Sequence, residues 1–362
     1  MKEVEALTIL SGAPLIGPMK VRLLVETFGS ALEALDAGVG AWRQLSGFGD
    51  KVLAACKCWL ESDRWLQNFN LVEKCGVKLV PFTSPDYPER LAKIPDAPII
   101  LYVKGDVSIL KTDSLAVIGT RMASIYGLES AAQISEDLAA LGYTVVSGLA
   151  RGIDTKAHQG AIRSGHTIAV IGSGLGNVYP RENSNLALDI CDHGALVSEY
   201  PMTTPPDRQN FPQRNRIVSG LSLGTVLIEA PQRSGAMLTM NKAIDQGRPV
   251  FALPGRVDST SFQGNLSLLK SQKAHLIENA RDIHQILKPE APLLGGSKRK
   301  QAIVVDDEES QFLALLPKEE LSFEKIVEIS NLPVMKINVL LMSLLLKCAI
   351  KEYPGKIYKK LV

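Results

Sequence analysis

LAVIGTRMASIYGLESAAQISEDLAALGYTVVSG, residues 115–148, decides the fold. Leu115 to Ile118 make a short apolar run that breaks at Gly119, and Tyr143 to Ser147 make another that breaks at Gly148. The residues between them have helical composition. The same unit recurs downstream, at Thr167 to Gly172, Ala195 to Tyr200, Thr225 to Ala230 and Pro249 to Leu253. Strand and helix in alternation predict an α/β fold on an extended, Rossmann-like parallel doubly wound sheet. Two earlier runs, Val77 to Phe82 and Ile99 to Val103, precede it, with loops carrying Pro85, Pro88, Pro95 and Pro98 between them.

In such sheets ligands sit outside the carboxyl ends of the strands, near the switch point of strand order. Here those ends run into glycine: Gly119, then Gly148 after Ser147, then Gly172, Gly174 and Gly176, and finally Gly255. A glycine there lets backbone N–H groups approach a phosphate, and repetition along one edge implies a shared anion-binding floor. Charge favours the same edge. From residue 208 to 256 the basic residues are Arg208, Arg214, Arg216, Arg233, Lys242, Arg248 and Arg256, against only Glu229 and Asp245. Arg121, Arg151, Lys156 and Arg181 fall in loops or first helical turns expected on that surface. With a net formal charge of only +2 over 362 residues, so local a basic stretch implies an anionic partner.

Outward from this core, residues 1–72 are expected to be a small all-helical domain. Its Gly-containing turns, Leu15, Ile16, Gly17, Pro18 and Ser46, Gly47, Phe48, Gly49, suit a tandem helix-hairpin-helix (SAM-like) unit, or equally helix C-caps without a ligand. The Rossmann-like domain spans 73–287, a Pro-, Gly- and Lys-containing linker 288–305, and a C-terminal domain 306–362. That last domain is expected to carry helices near Glu308–Leu316, Ser322–Ser330 and Pro333–Lys347. A hairpin around Pro354 and Gly355 would complete a winged helix. Its third helix is dominated by leucine, with Lys336 and Lys347 its only charges, which suits protein contact better than reading a duplex.

Catalytic signatures fail one by one. Gly119 to Ser124 do not make GxGxxG, Gly172 to Gly176 fall one residue short of it, and no GxxxxGK[ST] exists. Gly220 to Gly224 match GxSxG, but with helix before and strand after, the reverse of a nucleophile elbow. The five histidines are scattered, His158 reads as structural, and Glu229 is a lone carboxylate. Five cysteines with no CxxC spacing point to free thiols in a reducing compartment, with neither a metal site nor a cofactor. No apolar run reaches about 18 residues and the N-terminus has no basic-then-apolar leader, so a cytoplasmic protein away from membranes is expected.

Ser147, Gly148, Leu149, Ala150, Arg151, Gly152, Ile153, Asp154, with Ala157 and His158, closely resemble the signature of the DprA/Smf family. Further motifs follow in family order: Gly172 to Gly174 with Tyr179, Pro180 and Asn183; Ser198 to Tyr200; Phe211 to Arg216; Glu229 and Ala230 with Ser234, Gly235 and Thr239; and Gly247 to Gly255. The resemblance covers roughly residues 77 to 285 and implies a bacterial factor of natural transformation rather than an enzyme. Its relatives bind single-stranded DNA without strong sequence preference, protect it, form homodimers and load the RecA recombinase.

By that resemblance Arg121, Asn215, Thr239 and Lys242 are expected DNA contacts, with Ser147, Gly148, Arg151, Gly172, Gly174, Asn177, Arg214, Ser234 and Gly235 completing the site. Tyr126, Tyr179, Phe211 and Phe251 are the only aromatics expected near the pocket, with Phe211 placed in the core. The rival is a nucleoside-monophosphate phosphoribohydrolase of the same superfamily. It requires Pro-Gly-Gly-x-Gly-Thr-x-x-Glu, where this chain has Gln232 to Thr239 without the glutamate and the glycine triplet.

Overall fold

The computed structural model describes residues 1–289, 306–317, 319–347, 349–353 and 355–361. The chain divides into two compact units, Met1–Gly295 and Gly296–Val362. Residues 290–305, most of the expected linker, fall outside the described residues.

In the first unit five helices, α1 (Glu3–Ser11), α2 (Pro18–Phe28), α3 (Ala31–Ala41), α4 (Asp50–Leu60) and α5 (Arg64–Lys74), precede a nine-stranded sheet. Its strands are β1 (Lys78–Pro81), β2 (Ile100–Gly105), β3 (Ser114–Ile118), β4 (Thr144–Ser147), β5 (Thr167–Val170), β6 (Gly194–Ser198), β7 (Gly224–Leu227), β8 (Val250–Ala252) and β9 (His275–Leu276). The connecting helices are α6 (Glu89–Ala92), α7 (Ile125–Ala140), α8 (Ile153–Ile162), α9 (Ser184–His193), α10 (Asn210–Leu221), α11 (Gly235–Asp245), α12 (Gln263–Lys270) and α13 (Ala280–Leu287).

Strand order is β1-β2-β6-β5-β4-β3-β7-β8-β9. All pairings from β6 across to β9 are parallel, whereas β2 joins β6 and β1 joins β2 antiparallel. The chain steps outward from β3 to β6, then crosses back through α10 to set β7 on the other side of β3. The switch point therefore lies between β3 and β7. The six runs expected from residue 115 onward each contain a strand of this sheet. The earlier runs, Val77 to Phe82 and Ile99 to Val103, hold β1 and most of β2, but their antiparallel pairing and the two-residue β9 did not show in the sequence.

Strands β3 to β7 are buried throughout, and side-chain alternation divides each between two cores. Leu115, Val117 and Val145 pack on one face with Ile134, Ala157 and Ile283. Ala116, Ile118 and Val146 pack on the other with Ile217, Leu221 and Met240.

The N-terminal helices share a core with the sheet: Leu7, Leu10, Trp42 and Phe48 cluster with Ile100, Tyr102, Ala169 and Leu196. Buried Asn68 ties the two together. Its amide donates to the Tyr102 hydroxyl at 3.0 Å and its carbonyl accepts from the Met202 N–H at 2.8 Å. Gly17 and Gly49, one in each expected hairpin turn, stand as N-caps of α2 and α4, so neither is a helix C-cap.

The second unit holds α14 (Asp307–Leu315), β10 (Leu321–Ser322), α15 (Phe323–Ser330), α16 (Val334–Leu346), β11 (Ile350–Tyr353) and β12 (Ile357–Lys360), its strands ordered β10-β12-β11. Three helices and a terminal hairpin are thus present, with a third short strand added. Met335, Val339, Met342 and Leu346 lie exposed on α16 at three- and four-residue spacing. No single helix among the described residues is long and apolar enough to cross a membrane. Cys56, Cys58, Cys75 and Cys191 are free thiols, and Cys348 lies outside the described residues.

Glu309 fastens this unit. Its buried carboxylate accepts from Lys347 Nζ at 2.5 Å, from the Ser343 hydroxyl and from the Asp306 N–H at 2.8 Å, and these partners, Lys347 foremost, hold its pKa down to about 2. Because the folded value lies below the ordinary 4.5, the stabilisation is full above that value and drains as pH falls toward 2. Hydrogen exchange in the intact protein should show peptides from 306–361 losing protection across that window. Glu309→Gln should be less protected at neutral pH and nearly insensitive to acid.

Candidate nucleic-acid interface

A cleft of about 650 Å³ opens at the switch point. Gly119, Thr120 and Arg121 leave β3 on one side, Gly148 and Ala150 leave β4 beside them, and the first turns of α10 and α11 close the far wall. Those first turns carry N–H groups without intrahelical partners and the positive ends of two helix dipoles, a setting that favours an anion. Ser234 caps α11, its hydroxyl accepting from the Met237 N–H at 3.4 Å. A Cβ added to Gly235 would meet nothing within 4 Å, so that backbone is open to a close approach.

Three side chains form the wall nearest β3 and β4. The Arg121 guanidinium carbon lies 5.7 Å from the Phe211 ring centroid, and Phe211 meets Tyr179 at 5.8 Å with the rings tilted by 48°. Phe211 is therefore not a core residue. It is half-buried and lines the cleft, because it stands in the first turn of α10, which begins at Asn210, instead of in a strand. Arg121 is exposed, and so are Met122 and Leu238, at 89% and 49%.

Beneath them the floor holds two buried groups of opposite sign, Arg214 and Asp154. Arg214 reaches under β4 and donates from Nη1 to the Val170 carbonyl at 2.7 Å. A Cβ on Gly148 would fall 1.9 Å from that nitrogen, so this glycine makes room for the guanidinium. Burial lowers the Arg214 pKa and raises that of Asp154, while each charge favours the ionised form of the other. The Ala150 N–H donates to Asp154 Oδ2 at 3.3 Å.

The expected site residues thus separate. Arg121, Gly148, Arg214, Asn215, Ser234, Gly235 and Thr239 share the one cleft. Arg151 lines a recess of about 40 Å³ beside it and is ion-paired with Glu182. Three others serve the scaffold. Ser147 is buried with its hydroxyl donating to the Val117 carbonyl at 2.7 Å, Gly172 packs under the Phe211 ring, and the Gly174 N–H donates to the Thr204 carbonyl at 2.9 Å. Asn177 donates to the Thr203 carbonyl at 2.9 Å and lies in an adjoining cleft, while Lys242 is exposed on α11 outside the lining of the main one. A Cβ at Gly174 would sit 2.0 Å from the Pro201 carbonyl oxygen. Gly174→Ala is expected to cost about 1–3 kcal/mol in a urea titration, the usual penalty of overpacking.

Thr120, Met122, Arg208 and Phe211 also line the cleft; the sequence signalled Arg208 through the basic stretch and Phe211 as an aromatic near the pocket, but not Thr120 or Met122. Arg216 does not. It is buried, bound to Glu199 at 2.5 Å and Asp96 at 3.3 Å.

Two residues weighed for acid-base work are engaged elsewhere. Glu229 is buried at the start of α7, accepting from the Ser124 hydroxyl at 2.7 Å and the Ser124 N–H at 3.0 Å. His158 is fully buried against the Thr167 hydroxyl at 2.7 Å, and desolvation, helped by the Arg214 charge, pushes its pKa down to about 3. It stays neutral at physiological pH.

Residues 78–288 match the model of the family described as DNA recombination-mediator protein A. The chain belongs to this family. The protein Smf of Escherichia coli is 40% identical over 253 residues, which are 68% of this chain and 64% of that protein, so the chain spans just under two thirds of that relative. The crystal structure of DNA processing protein A from Streptococcus pneumoniae superposes with a TM-score of 0.66 at 31% identity, covering 78% of this chain and 97% of that one. A structure of DNA processing protein A from Helicobacter pylori, described for its single-stranded DNA binding mode, gives 0.54 at 29% identity over 59% of this chain and 98% of that one. Every residue that lines the cleft lies within the matched segment.

Proposed function

We propose that the cleft at the switch point holds single-stranded DNA without reading its sequence. The observation that carries this is the joining, in one cleft, of exposed Arg121 with the Phe211 and Tyr179 rings and two helix N-termini. Arginine and backbone N–H groups contact phosphate, which every nucleotide has, and rings stack on any base. Arg121, Arg151, Asn215, Ser234, Gly235, Thr239 and Lys242 are the proposed contacts, with Gly148 and Arg214 as the floor. Ser147, Gly172, Gly174 and Asn177 position the loops that carry them.

Family membership supports the finer steps: protection of the strand and loading of RecA onto it in the cytoplasm, by a homodimer, during transformation or homologous recombination. The engagement of Glu229 with Ser124, the N-cap residue of α7, speaks against the phosphoribohydrolase alternative. Incubation with AMP is expected to release no ribose phosphate.

Fluorescence anisotropy of a labelled dT oligonucleotide, titrated at several salt concentrations against competing duplex, tests the binding. Preferential single-strand binding that falls with salt and weakens in Arg121→Ala is expected, because each phosphate contact contributes a slope of about −0.7 in log K against log salt. Absence of single-strand binding at low salt overturns it. For the finer step, RecA strand exchange on single strands coated with a competing binding protein should be accelerated by this protein.

A further inference from the structure

Beyond Tyr179 lies a second cleft, of about 560 Å³, and Tyr179 lines both. Lys104, at the end of β2, and Arg181, just after Tyr179, supply its charge, and no carboxylate lines it. Neither cation has an ion-pair partner among the described residues, in contrast to Arg151, which Glu182 holds. Leu188, 57% exposed on α9, adds apolar surface to the same wall. An anion with an apolar or aromatic part attached fits that combination.

We propose that the second cleft takes the nucleotides that continue from the first, so that a bound single strand passes over Tyr179. Lys104 and Arg181 then meet its phosphates and Leu188 meets a base. This rests on the single-strand reading of the first cleft. A mononucleotide would satisfy one cleft alone. A polymer with a phosphate and a ring at every step is the ligand for which two clefts sharing one tyrosine are suited, since its repeating charge can use cations on both sides.

The test is anisotropy of labelled dT oligonucleotides of increasing length on the full chain, for wild type, Lys104→Ala/Arg181→Ala and Arg121→Ala, each checked for native circular dichroism. On the shortest oligonucleotides that bind, the double variant should equal wild type. On longer ones wild type should gain affinity that the double variant lacks, with a salt slope shallower by about 1.4, two contacts at about 0.7 each. Arg121→Ala should weaken binding at every length. Wild type and double variant agreeing at all lengths, or differing equally at all lengths, overturns the second cleft while leaving the first intact. Failure of wild type to bind any length overturns both.

Discussion

Replacing Phe211 with alanine should weaken single-strand binding by roughly 5- to 150-fold, the equivalent of about 1–3 kcal/mol for one lost base stack. The ring lies between Arg121 and Tyr179, so its removal also takes away the surface on which the guanidinium rests. Phe211→Tyr, which keeps the ring, should bind nearly as wild type. Anisotropy reads the affinity. A thermal melt separates the effect from unfolding, since the half-buried Phe211 contributes to the cleft wall more than to either core. Equal binding by wild type and Phe211→Ala would remove the ring from the interface.

The second large effect is on stability. Arg214→Met keeps an apolar stem but removes the charge that favours ionised Asp154 and the donor to the Val170 carbonyl, and a buried polar group left without its partner costs about 1–3 kcal/mol. Urea unfolding of the single variant should show a loss of that order. Adding Asp154→Asn should recover much of it, because the two side chains are coupled and their effects do not add. If the double variant is no more stable than Arg214→Met alone, Asp154 and Arg214 do not hold each other. Single-strand binding should fall too, since Arg214 lies beneath the loops carrying Gly148 and Ala150.

The parallel sheet was legible because its strands are short apolar runs, and β3, β4, β5 and β8 run out into glycine. The sequence-distant pairing of β2 with β6 was not, since an edge strand's direction depends on where the chain returns, not on its composition. In the site, motif order located the cleft but did not divide contacts from supports. Gly148 and Gly174 look alike in sequence, yet one accommodates a guanidinium and the other a passing carbonyl. Phe211 shows the opposite error. A phenylalanine before proline suggests core, and only the start of α10 at that point turns it toward the cleft. The N-terminal helices likewise carry the period of a separate domain. Their apolar faces, however, are completed by Ile100, Tyr102 and Leu196 of the sheet, which no local pattern announces.

The most direct measurement is photo-crosslinking of a single strand carrying 5-iodouracil to the full chain, with the attachment points mapped by mass spectrometry. Crosslinks in peptides containing Tyr179 or Phe211 are predicted, abolished by excess unlabelled dT and reduced in Arg121→Ala. Crosslinks confined to residues 1–74 or 306–361, with none at the switch point, would contradict the placement of DNA in this cleft.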